Sequence, residues 1–130
     1  MNITVLLKST FVFLIFCFPA LSSTISIADA TTPNEKPFLQ TVVVFMSSAQ
    51  ASKINVEYET FDGTATKGKD YTPVMGTLTF EPGETVKSIS IPILDDGIAE
   101  EKETIIVKLT STKFGNLADD EALVFITDDD

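Results

Sequence analysis

"KINVEYET", residues 53–60, alternates strictly, with Ile54, Val56 and Tyr58 on one side and Lys53, Asn55, Glu57 and Glu59 on the other. Successive side chains of an extended strand point to opposite faces, so this stretch predicts a strand with one dry and one wet face. Outward from it the same reading repeats. "GTLTF" (76–80) turns Leu78 and Phe80 inward, and "TVKSISIPIL" (85–94) puts Ile89, Ile91 and Ile93 on one face. Pro92 in that stretch has no amide N–H to give a ladder, which predicts an edge position or a bulge. "TISIA" (24–28) alternates, "TVVVFM" (41–46) is a β-branched run, and "TIIVKL" (104–109) and "ALVFIT" (122–127) bring the strands to seven. Turn signals such as "FDGT", "EPGE", "LDDG" and "FGN" separate them, and no stretch has a helical period. Seven short strands in roughly a hundred residues predict an all-β fold, an immunoglobulin-like antiparallel β-sandwich. Its core is aliphatic, with Tyr58, Phe80 and Tyr71 adding bulk, and the chain has no Trp.

Length and charge bound the function. At 130 residues the chain holds one domain and one core. Nine lysines, no arginine and no histidine stand against nineteen acids, a formal charge of −10. A partner rich in phosphate needs basic surface, which excludes nucleic acid, whereas an acidic surface favours cations. With no histidine, no cysteine outside the N-terminal segment and no Gly-rich phosphate loop, the residues give no support to an enzyme.

The N-terminus reads as a secretion signal. Lys8 provides a positive start, "FVFLIFCF" (11–18) an apolar run shorter than the roughly 20 residues that span a bilayer, and "ALSS" the small residues of a cleavage site near 22–23. The alternative is a retained membrane anchor. Cleavage predicts a signal peptide over 1–23, a domain over 24–130, no transmembrane span in the mature chain, and a secreted or cell-surface location. Cys17, the only cysteine, lies within the leader, so the mature domain is held without disulfides.

The acids are not spread evenly. "ILDDGIAEEKE" (93–103) holds Asp95, Asp96, Glu100, Glu101 and Glu103, and "DDD" closes the chain at Asp128, Asp129 and Asp130. Like charges this close cost free energy unless they are solvated or neutralised by a cation. Calcium takes six to eight hard oxygen ligands from carboxylates and backbone carbonyls in loops. "LDDGIAE" has that pattern, two adjacent carboxylates, a loop carbonyl and a further acid. Alternate loops of a sandwich share one end, so the 61–71 loop, the 95–103 loop and the chain terminus are expected to converge.

"DGTATKGKDY" (62–71), "GTLTFEPGE" (76–84), "ILDDGIAEEKE" and "ITDDD" (126–130) occur in the order and at the spacing of the Calx-beta domain, which this chain resembles from about Ile25 to Asp130. That family is the repeat of sodium–calcium exchangers and of many extracellular adhesion proteins. The resemblance implies Ca2+ ligands at Asp70, at the paired Asp95 and Asp96, at the carbonyl of Ile98, at Glu100 and Glu103, and at Asp128, Asp129 and Asp130. Glu35 resembles the glutamate that follows the family's first strand. Gly97 stands where some calcium-binding members have a third aspartate. In "DGTATKG", Gly63 and Gly68 are expected at positive φ, Asp62 to bond local backbone, and the Tyr71 hydroxyl to find a backbone partner. The function expected is a calcium-binding interaction or adhesion module, calcium neutralising and ordering the acidic loops. The alternative is a metal-free sandwich that binds extracellular protein or glycan.

Overall fold

The computed structural model describes residues 23–32, 38–95, 97–113 and 116–127. Among these, nine strands form two sheets: β1 (Thr24–Ile27), β2 (Ala30–Thr31), β3 (Phe38–Met46), β4 (Ile54–Asp62), β5 (Met75–Phe80), β6 (Val86–Ile93), β7 (Glu103–Thr112), β8 (Asn116–Asp119) and β9 (Glu121–Ile126). One sheet has the order β6-β3-β1-β8 and the other β2-β9-β7-β4-β5. The sandwich expected from period-two patterning is therefore present, with every strand read from the sequence in place.

Two short strands, β2 and β8, join the seven. The chain leaves the first sheet after β1, and Asp29 marks the crossing by accepting a hydrogen bond from the Leu123 amide on Oδ1 at 2.9 Å. β2 then runs parallel to β9, and β8 runs parallel to β1, so the otherwise antiparallel sheets each gain a parallel edge pair. Neither segment is long enough to show an alternation of its own; the neighbouring ladder makes each a strand.

The alternation in β4 does what its sequence requires. Ile54 and Val56 are buried and Tyr58 is half-buried, while Asn55 and Glu57 face water. Ile54, Val56 and Tyr58 share one core with Val42, Val44, Phe80, Ile89, Ile91, Ile105, Val107 and Val124, these eight with essentially no exposure. Burial of such side chains is worth about 1.5–3 kcal/mol each, the dominant favourable contribution in a domain with no disulfide among the described residues. β6 lies at a sheet edge, where Pro92 costs no inner ladder bond. Its outer rim is partly covered by the segment that follows β4, through a Tyr71–Ile93 bridge and hydrogen bonds from Thr72 N to Pro92 O and Leu94 N to Asp70 O, both 2.9 Å. That stitching seats Asp70 beside the β6–β7 loop.

Residues 1–22, which hold nearly all of the expected leader, lie outside the described residues. Ser23, at the expected boundary, is buried in the sandwich, its Oγ donating to the Ser48 carbonyl at 3.1 Å. No helix among the described residues is long and apolar enough to cross a membrane.

Candidate metal centre

The loop from Asp62 to Tyr71 is built from its own polar side chains. Asp62 Oδ1 accepts from the Lys67 amide at 2.9 Å and from the Tyr71 hydroxyl at 2.7 Å. The Tyr71 hydroxyl thus finds a carboxylate and not the backbone partner expected. Burial first, then the Asp62 contact, pushes its ionisation far above the ordinary tyrosine range, so it remains a neutral donor. Gly68 does adopt a positive φ, 88°. Gly63 serves otherwise. A Cβ there would stand 2.4 Å from Thr104 Oγ1 and 2.6 Å from the Thr104 carbonyl oxygen, so glycine allows this loop to touch the start of β7.

Behind that contact the loop carries Asp70 into the interior. Asp70 is only 3% exposed. Its Oδ2 accepts from the Thr66 amide at 2.6 Å, and its own amide donates to the Thr66 carbonyl at 2.9 Å. Glu100, from the β6–β7 loop, and Glu103, the first residue of β7, approach it from the other side. One carboxylate oxygen from each of Asp70, Glu100 and Glu103 lies within 4.8 Å of the others. Ionised together, neighbours at this separation repel by roughly 3–4 kcal/mol per pair at an effective dielectric of about 20.

Glu103 shows the consequence. Burial first, then the charges of Asp70 and Glu100, raise its carboxyl to about 7, with Lys69 opposing. Its Oε2 is buried with no hydrogen-bond partner among the described residues. A buried acceptor left unmatched is costly, and a cation would satisfy it. The donor set is all oxygen and anionic, the chemistry of a hard divalent ion such as calcium, and does not suit metals that prefer nitrogen or sulfur. Asp70, Glu100 and Glu103 would hold it, and its charge would cancel the repulsion among them.

Of the residues expected to bind metal, the structure thus brings three together. Asp95 is not one of the three; it is exposed, and its Oδ1 accepts from the Gly97 amide at 2.9 Å in a local turn. Ile98 exposes 57% of its surface; the expectation there concerned its backbone carbonyl. Glu35, Asp96, Asp128, Asp129 and Asp130 lie outside the described residues. Sequence reading did not single out Thr66, which holds Asp70, or Thr64 and Thr104, which tie the loop to β7. Threonines are common in β-proteins, and no local pattern in the sequence sets these three apart.

The Calx-beta domain family matches residues 22–130. Sodium/calcium exchanger 1 of Canis lupus familiaris is 42% identical over 69 residues, which are 53% of this chain and 7% of the exchanger. The crystal structure of the calcium binding domain CBD12 of CALX1.1 aligns with a TM-score of 0.75 at 30% identity, over 82% of this chain and 46% of that one. The apo-form Calx CBD1 domain aligns with a TM-score of 0.69 at 29% identity, over 85% of this chain and all of that one. The chain thus spans a small fraction of the exchangers it matches and about one whole CBD1 domain.

One expectation is corrected. The relatives are sodium/calcium exchangers and not secreted proteins, and this overturns the secreted or cell-surface location read from the N-terminal segment. An apolar run after one lysine is a pattern that export signals share with other segments, so it did not suffice. From its sandwich and the match over residues 22–130, the chain belongs to the Calx-beta domain family.

Proposed function

We propose that this domain is a regulatory calcium-binding module. Asp70, Glu100 and Glu103 form the inner wall of the site. Asp95 and Asp96, the Ile98 carbonyl, Glu35 and the closing Asp128, Asp129 and Asp130 supply further oxygens, toward the six to eight that calcium takes. The domain acts by binding and carries out no catalysis. Calcium converts a self-repelling set of loops into an ordered end of the sandwich, and the altered surface signals to whatever adjoins it.

The observation that carries this reading is the buried Asp70 carboxylate facing two further carboxylates within 4.8 Å, one of them with an unmatched buried oxygen. A solvated acidic loop has no reason to bury its charges. The relatives are named for calcium exchange or calcium binding, which supports the choice of ion. Isothermal titration of the chain with calcium tests it, beside an Asp70→Asn variant that keeps an oxygen for the Thr66 amide. The wild type should bind, and the variant should bind at least about tenfold more weakly, the worth of one charged ligand contact. A flat wild-type titration would reject the proposal.

A further inference from the structure

We propose that Thr64 is a positioning residue for the metal centre: its reciprocal clasp with Thr104 holds Glu103 against Asp70. The proposal rests on the calcium reading above. Thr64 N donates to Thr104 Oγ1 at 3.1 Å, and Thr104 N donates back to Thr64 Oγ1 at 2.8 Å. The two hydroxyls lie 3.4 Å apart, and Ala65 N donates to the Thr104 carbonyl at 2.9 Å. Gly63 makes this approach possible, since any side chain there would meet Thr104.

The clasp matters through its neighbours. Thr104 directly follows Glu103, and Ala65 directly precedes Thr66, whose amide fixes the Asp70 carboxylate. A short closed circuit therefore runs from Asp70 through Thr66, Ala65 and Thr104 to Glu103. Without calcium, the two carboxylates repel whenever both are ionised, and this circuit helps to hold them together. Thr64 Oγ1 touches none of the three carboxylates in the hydrogen bonds described, so it acts by holding the frame of the site. Losing it lets the loop and the start of β7 separate. That relieves the calcium-free state and leaves the ion to pull the ligands back together, at the cost of affinity.

Thr64→Val keeps the shape and removes the hydroxyl; Thr64→Ser keeps the hydroxyl. Calcium titration of folded protein should show Thr64→Val weakened about five- to tenfold, the equivalent of one net hydrogen bond, with Thr64→Ser close to wild type. A merely structural role would lower stability yet leave the affinity of the folded protein unchanged, and that result overturns the proposal. If Thr64→Val does not fold, amide hydrogen exchange of the wild type decides. The Thr104 and Ala65 amides should be protected without calcium and gain further protection with it; protection that calcium leaves unchanged rejects the role. A wild type that binds no calcium would remove the calcium reading and this proposal together, whereas wild-type binding with an unaffected Thr64→Val removes the positioning role alone.

Discussion

Glu103 is where the competing demands on this domain meet in one carboxyl. Its ionisation is raised from the ordinary glutamate value of 4.5 to about 7 by burial and then by the charges of Asp70 and Glu100. Below about pH 4.5 the folded and unfolded chains both hold the proton, and the group costs nothing. Between about 4.5 and 7 the unfolded chain gives it up first, so the calcium-free domain loses stability as pH rises. Above 7 the folded state carries the charge at full cost. Urea unfolding in chelator at pH 5 and pH 8 should therefore show a larger loss for the wild type than for Glu103→Gln, which cannot ionise. Parallel losses in the two proteins would mean that the stability change comes from net charge at large. Calcium selects the ionised form, so it should stabilise the wild type more at pH 8 than at pH 5.

The loop between β4 and β5 explains what the sequence made legible and what it did not. Alternation disclosed β4 and β6, because each residue's side of a strand is a local property, and the isoleucines of β6 are all on the buried face. β2 and β8 escaped, since their pairing depends on ladders supplied by residues far along the chain. At the site, Asp70, Glu100 and Glu103 were legible through the order and spacing of motifs that resemble a family. The contacts that set their geometry were not: Thr64 and Thr104 are 40 positions apart, and no local pattern couples them. Gly63 illustrates the difference. Its type suggested a turn with positive φ, whereas its value lies in the missing Cβ beside Thr104. Gly63→Ala should thus force the loop off β7 and destabilise the fold by about 1–3 kcal/mol, the usual cost of overpacking. Gly68→Ala meets no neighbour within 4 Å and is strained through its φ alone, so it should cost less, about 1 kcal/mol. Chemical denaturation of the two variants in chelator ranks them, and equal losses would deny the close approach its importance.

Across the whole molecule the formal charge is −10, and the ion pairs among the described residues, Lys53 with Glu81, Lys87 with Glu84 and Lys108 with Glu121, include no member of the carboxylate cluster. Being exposed, such pairs contribute at most about 1 kcal/mol each, so folding rests on the aliphatic core and they do nothing to relieve repulsion at the acidic end. The unfolded chain has no assembled site, so a bound ion should stabilise only the folded state, by RT ln(1 + [L]/Kd), roughly 2.7 kcal/mol at a hundredfold excess over Kd. For a domain of this size that amounts to a rise in unfolding midpoint of about 10–12 °C. Magnesium should do less, because it demands strict octahedral geometry and gives up its waters reluctantly, whereas the loops offer carboxylates at the spacing a larger ion tolerates. General screening would not distinguish the two ions, and sodium chloride at matched ionic strength would imitate both. Thermal unfolding in calcium, magnesium and matched sodium chloride therefore separates a site from a screened surface. A shift with calcium well beyond the other two is the expected result; equal shifts in all three would leave the acidic end as a solvated surface and remove the calcium reading.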